Sequence, residues 1–219
     1  MKTNPNPNAR SDQALATLRS SIIDGNLKPG KLLAETPVAQ ELGVSRVPVR
    51  EALFTLEQDG LVEFSKTGRA YVKALSPRDF EELYTVRVTL ESVAARLAAP
   101  VIRRDASALM ENITATRRAQ TVGEVTKLDL RFHELILERS GNARLLKLWR
   151  SIRGELEMWL ARLQRQHRGQ KLDTRKQTAA SHEKLVEAFC SQSASACERL
   201  NREHVIAWRE WLPTLSENA

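Results

Sequence analysis

Asp129 and His133 stand four residues apart, so on a helix both side chains leave the same face. That is a spacing at which a carboxylate and an imidazole can share a metal ion. A solvated helix face often carries such a pair without binding anything, so the pair alone does not decide. The chain of 219 residues contains only four histidines. Two of the others, His182 in SHEKLVEAF and His204 in REHVIAW, fall in later segments of helical pattern. A second group able to do chemistry lies far upstream. Arg46 and Arg50 are also four apart, and their guanidinium forks can meet guanine edges or phosphates.

The arginines sit in TPVAQELGVSRVPVREALFTLEQDG, from Thr36 to Gly60. Val38, Ala39 and Leu42 give one helix an apolar face, and Gly43 supplies the left-handed residue of a tight helix end. Ala39 is small enough for a second helix to cross closely. Ser45 stands where an N-cap oxygen is wanted, and Pro48 falls in the first turn, where a missing N–H costs little. The helix from 46 to 59 is expected to bury Val49, Ala52, Leu53 and Leu56. Its other face then presents Arg46 and Arg50 at the end that a recognition helix pushes into the major groove. Leu61 and Val62, a break at Lys66-Thr67-Gly68-Arg69, and Tyr71 and Val72 predict a two-stranded wing. Residues 11–75 therefore read as a winged helix-turn-helix that binds double-stranded DNA, preceded by a disordered polar arm over residues 1–10.

Leu75-Ser76-Pro77-Arg78-Asp79 marks a domain boundary, with a Ser cap, Pro at the first helical position and an acid three residues after the cap. Beyond it apolar residues recur at three and four, beginning with Phe80, Leu83, Tyr84, Val86, Leu90, Val93, Ala94 and Leu97. Further helices are expected near 103–119, 123–140, 143–167, 174–191 and 194–212. Nothing there alternates like a strand, and the short connections favour an antiparallel bundle. The fold class is mainly α: a winged helix-turn-helix followed by an all-α antiparallel helical bundle over residues 76–219.

The net charge is +7, but residues 1–75 hold ten Lys and Arg against eight Asp and Glu, a surplus of only two. DNA affinity must then come from the placement of a few arginines and from dimer avidity more than from bulk charge. No apolar run approaches the roughly 20 residues of a transmembrane helix. The N-terminus lacks the apolar core of a secretory signal, so no membrane association and a cytoplasmic location are expected. Cys190 and Cys197 form no disulfide framework or cysteine zinc site and are expected to be small core residues. The basic run Arg162, Arg165, Arg168, Lys171, Arg175 and Lys176 around Gly169 is expected to be a solvated loop.

The string VSRVPVREALFTLEQDGLVEF resembles the signature of GntR-family transcriptional regulators. That resemblance implies DNA contacts from Ser45, Arg46, Val47, Pro48 and Arg50, and from wing residues Thr67, Gly68 and Arg69. Two departures stand out: Thr36 occupies a position where relatives often carry arginine, and the wing reads Gly68-Arg69-Ala70 rather than Arg-Gly-Ala. In the second half, Asp129-x-x-x-His133, the run Ser140-Gly141-Asn142, and His182 followed by His204 resemble the FCD effector domain of the FadR subfamily, closer to six-helix, VanR-like members. This implies Asp129, His133, His182 and His204 as ligands of a divalent metal. An oxygen plus three imidazole nitrogens suits Zn²⁺, Ni²⁺, Fe²⁺ or Mn²⁺. It also implies a small carboxylate effector bound near the metal, with Arg87 facing the pocket. A surface ion pair with Glu91, four residues on, is the competing role for Arg87. Trp159 and Trp208 could line a pocket, though core packing is the commoner role for such residues.

The expected function is a homodimeric transcriptional regulator, a repressor, bound to a palindromic operator. A metal-dependent enzyme is the alternative from another class. It lacks support, because neither His133-Glu134 nor His182-Glu183 continues into His-Glu-x-x-His, and no nucleophile elbow, phosphate-binding loop or Rossmann fingerprint is present. A dimeric DNA-binding adaptor without effector is a third reading.

Overall fold

The computed structural model describes residues 7–169 and 173–207. Its elements in chain order are α1 (Pro7–Ile23), α2 (Glu35–Leu42), α3 (Arg46–Gln58), β1 (Val62–Phe64), β2 (Ala70–Val72), α4 (Pro77–Ile102), α5 (Ser107–Arg118), α6 (Val122–Arg139), α7 (Ala143–Gly169), α8 (Thr174–Ser191) and α9 (Ala194–Ala207). The first five form an N-terminal head, and the six helices α4 to α9 form a bundle.

In the head, α2 stops at Gly43, whose φ of 65° is left-handed and whose N–H returns to the carbonyls of Ala39 and Gln40. Ala39 is buried where α2 meets α3, and α3 buries Val49, Ala52, Leu53 and Leu56 as its spacing requires. β1 and β2 pair antiparallel, with Val62 opposite Val72 and Phe64 opposite Ala70. The Leu33 N–H donates to the Ala70 carbonyl, and the Val72 N–H donates to the Lys31 carbonyl, so residues 31–33 line the other edge of β2. α1 closes the core with Ala14, Leu18, Ile22 and Ile23. Sequence reasoning did not delimit this helix. It begins at Pro7, so the arm expected over residues 1–10 overlaps helix from Pro7 onward.

α4 opens on a complete capping box. The Asp79 N–H donates to Ser76 Oγ, and the Ser76 N–H donates to the Asp79 carboxylate, with Pro77 in the first turn. α4 packs along α6 and α9, and α5 packs on α6 and α8. One apolar cluster joins Ala95, Ile102, Ile113, Phe132, Phe189 and Cys197, and a second joins Phe80, Leu90, Leu130, Trp149, Leu160 and Leu163. Among the described residues, no helix is long and apolar enough to cross a membrane.

Several expectations need correction. Val86 and Leu97, placed in the apolar stripe of α4, remain 43% and 41% exposed. Cys197 is buried as expected, but Cys190 is exposed. The basic run is not simply a loop: α7 continues to Gly169, and the partly buried Arg165 donates to the Ile23 carbonyl at the end of α1. Lys171, Trp208 and the end of the expected 194–212 helix lie outside the described residues.

Candidate DNA-reading surface and metal centre

α6 brings Asp129 and His133 to one buried face, α8 supplies His182, and α9 supplies His204. The three imidazoles form a near-equilateral triangle, with ring centroids 5.4 Å, 5.2 Å and 5.3 Å apart. One nitrogen from each ring falls within 4.8 Å of the others. His133 Nε2 and His204 Nε2 are 3.3 Å apart, matching the edge of a tetrahedron built on metal–nitrogen bonds of about 2.0–2.1 Å. Asp129 is fully buried beside them, with Oδ1 at 3.2 Å from His182 Nε2. Neither Asp129 oxygen nor either nitrogen of His182 has a hydrogen-bond partner of good geometry among the described residues. Buried polar atoms left without partners are costly. The three imidazoles converge as a cation site requires and fit a divalent metal, while Asp129 stands beside His182, outside the three-histidine group.

The electrostatics agree. Burial holds His182 below the ordinary histidine range despite Asp129, and holds His204 well below it, helped by the facing His133 and His182. Neutral imidazoles are the form that ligates. Burial acts to raise the Asp129 carboxyl, but His182, His133 and Arg87 outweigh it and keep the group well below the usual carboxylate range.

Behind the triangle lies a network that sequence reasoning glimpsed only in part. Glu91 Oε2 lies 2.8 Å from His133 Nδ1, an ion-pair distance without hydrogen-bond geometry, and its Oε1 accepts from Arg87 Nε at 2.9 Å and from Trp149 Nε1 at 2.7 Å. Burial opposes ionisation of Glu91, yet Arg87 and His133 bring its pKa down to about 2. A carboxylate this close to Nδ1 favours the proton there and turns Nε2 toward the other two imidazoles. Arg87 does pair with Glu91, but the pair is buried, not the surface contact that was the competing role. Arg87 Nη2 has no partner among the described residues. The cavity that Arg87 lines with Phe80, Leu83, Tyr84, Leu156 and Trp159 holds about 20 Å³, room for a water but not for an organic acid. Trp159 is a core residue, edge-on to Phe80 at 4.9 Å. Glu91 is visible in sequence only as the residue four after Arg87; its contacts to His133 and Trp149 join distant segments.

The other candidate surface lies on the head. Ser45, Arg46, Val47 and Arg50 are exposed at the start of α3, and Thr67, Gly68 and Arg69 are exposed at the wing tip. Val47 is 62% exposed, an apolar side chain that the head leaves uncovered. Two details differ from expectation. The Ser45 side chain makes no capping bond although the residue occupies the N-cap position. Pro48 is buried against α1, where its carbonyl accepts from Ser11 Oγ at 3.4 Å, so its ring is off the exposed face. Glu35, at the start of α2, was not foreseen. Its carboxylate takes Arg50 through both oxygens, at 2.7 Å and 2.9 Å, and Arg46 at 3.2 Å. Arg50 lowers the Glu35 pKa, and Arg46 adds to the effect. Glu35 thus holds both guanidinium groups side by side on the open face.

Residues 10–72 match the family described as bacterial regulatory proteins, gntR family, and residues 82–207 match the FCD domain. Among relatives, the HTH-type transcriptional regulator YdhC of Bacillus subtilis is 33% identical over 136 residues, covering 60% of this chain and 61% of that protein. That match spans less than two thirds of the relative's length. The gluconate operon transcriptional repressor of Bacillus licheniformis is 26% identical over 176 residues, covering 78% of this chain and 72% of the repressor. Among solved structures, E. coli McbR/YncC superposes with a TM-score of 0.72 at 22% identity, covering 95% of this chain and 99% of that one, a likeness of fold.

Proposed function

The chain belongs to the GntR family of bacterial regulatory proteins and carries an FCD domain, and from that premise we propose that it is a dimeric transcriptional repressor whose operator affinity is set by a metal-associated organic acid in the bundle. DNA binding and transcription regulation come with the family. The observation that carries the reading is the exposure of Arg46 and Arg50 at the start of α3, both held by Glu35, together with the exposure of Thr67, Gly68 and Arg69 at the wing tip. Arg46 and Arg50 enter the major groove, Ser45 and Val47 flank them, and Thr67, Gly68 and Arg69 reach the adjoining backbone. The gluconate operon relatives are named repressors, which favours repression here.

Dimerisation is supported by an uncovered apolar stripe on α4. Val86, Val93 and Leu97 recur at seven and four, and Val86 and Leu97 stay exposed. A two-fold dimer through that stripe presents two heads to a palindrome. In the bundle, Asp129, His133, His182 and His204 would hold a divalent ion, which supplies a Lewis-acid pole for an anionic effector. Arg87 stands beside Asp129, with Nη2 unspent toward a second anionic group. Admitting an effector requires the small cavity at Arg87 to widen, which gives a physical route from binding to conformational change. An effector preferring the DNA-incompetent arrangement a hundredfold weakens operator binding by the same factor, about 2.7 kcal/mol.

Selection of bound duplexes from a random pool tests the reading. A dimeric repressor enriches a two-fold symmetric sequence; enrichment of single, unsymmetric sites contradicts the dimeric part, and no enrichment contradicts the whole.

A further inference from the structure

Four glycines line the seam between the head and the bundle, and each faces a group from the other side. A Cβ on Gly25 would stand 3.2 Å from the Arg165 guanidinium, and one on Gly60 would stand 2.9 Å from Glu155 Cγ. A Cβ on Gly123 of α6 would lie 3.1 Å from Asp24 Oδ1. At Gly154 of α7 the atom would fall 1.6 Å from the carbonyl oxygen of Asp59, the residue that ends α3. By contrast Gly30, Gly43, Gly68 and Gly141, all away from the seam, would meet nothing within 4 Å.

α7 has two faces that explain the seam. Trp149, Leu156, Leu160 and Leu163 belong to the bundle core. Gly154, Met158, Ala161 and Arg165, at steps of four, three and four, turn to the head, and Met158 and Ala161 complete the head's own apolar core. Ion pairs border the close approach. The Arg19 guanidinium bridges Asp59 and Glu157, both at 2.5 Å, and Lys73 Nζ reaches Glu155 at 2.9 Å. One residue of α1 thereby ties the end of the recognition helix to α7. The opposite end of α3, with Arg46 and Arg50, stays exposed, so docking leaves the DNA-reading face open.

We propose that this seam is a keyed docking surface for the head, with Gly154, Gly60 and Arg19 as positioning residues that fix α3 in one register on α7 and so set the spacing of the two recognition helices in the dimer. The proposal rests on the dimeric-regulator reading above. It assigns the docked arrangement to the DNA-competent state, and it makes α7 the member that reports on the metal centre, since Trp149 of the same helix is bonded to the carboxylate that orients His133. Heads held at a fixed separation bind two half-sites as one event, whereas released heads lose that effective concentration.

The test uses full-length Gly154→Ala and Arg19→Gln. Alanine forces Asp59 away from α7, and the Arg19 change removes the bridge without adding bulk. Expected for both are faster hydrogen exchange over residues 55–61 and an operator affinity about tenfold weaker on a duplex with two half-sites. Affinity for one half-site should change less than about twofold, with metal content unchanged. Unaltered exchange in both variants would show that the seam is not a closed contact and overturn the proposal. Faster exchange with full operator affinity, or with tighter binding, would also overturn it, by placing the spacing elsewhere or the docked state off DNA. Equal losses on one and two half-sites in Gly154→Ala would signal a damaged head, and the same result in Arg19→Gln would reject the spacing role. If the wild-type protein binds no duplex, the regulator reading fails and takes the spacing role with it, while the exchange data still report on the seam.

Discussion

Arg46 and Arg50 carry the DNA-reading account at the level of single residues, and their exposure separates function from stability. Replacing either with Ala removes no buried contact, so the melting temperature should hold while specific DNA binding weakens by about 1–3 kcal/mol per lost bidentate contact. A thermal melt run beside the binding curve checks both. Glu91 makes the complementary case, being buried and silent on the surface. Glu91→Gln keeps the shape but loses the carboxylate on His133 Nδ1, and metal affinity should fall about 10–100-fold by chelator competition. The same cluster sets a pH dependence in metal-free protein. His182 and His204 titrate near 6.5 when unfolded and are held lower when folded, so below that value the unfolded chain binds more protons and stability falls as pH drops. The slope is at most about 1.4 kcal/mol per pH unit for each histidine. Below about 4.5 the depressed Glu91, and below about 3.8 the depressed Asp129, add losses of the same sign. Melts of chelated protein at stepped pH check the onset near 6.5.

At the level of elements, local chemistry was legible wherever a helix end or a buried face is written in a few adjacent residues. Gly43, the Ser76 box and the α3 core positions Val49, Ala52, Leu53 and Leu56 all follow from spacing. Gly43 turns alone in a left-handed conformation with open space around it, so Gly43→Ala should cost about 1–2 kcal/mol of head stability, all from the backbone, as read by chemical denaturation. What could not be read depends on contacts between distant segments. Ser45 sits at a cap position but makes no capping bond, and Pro48 is covered by α1, a helix with little apolar periodicity to announce it. Glu91 is drawn inward by His133 and Trp149. Gly154 looks like a mild helix weakness in sequence, yet the Asp59 carbonyl occupies the place of its side chain.

At the scale of the whole molecule, the head and bundle are joined by more than the short joint near residues 74–78. α7 contributes Met158 and Ala161 to the head's core and Trp149 to the network behind the histidines. One rigid helix of about 40 Å therefore touches both functional regions. Dimer formation through the α4 stripe adds a further expectation: Leu97→Glu, at an exposed position, should halve the mass in solution by light scattering and weaken operator binding without lowering helix content. The central claim, a regulator that reads a specific sequence, is tested most directly by fluorescence anisotropy of full-length, metal-loaded protein on DNA from its own upstream region. Two salt concentrations and excess nonspecific competitor complete the measurement. Tight binding that survives competitor and is lost in Arg50→Ala is expected; binding that merely tracks salt and vanishes into competitor, on the selected duplex as well, would contradict a sequence-reading regulator.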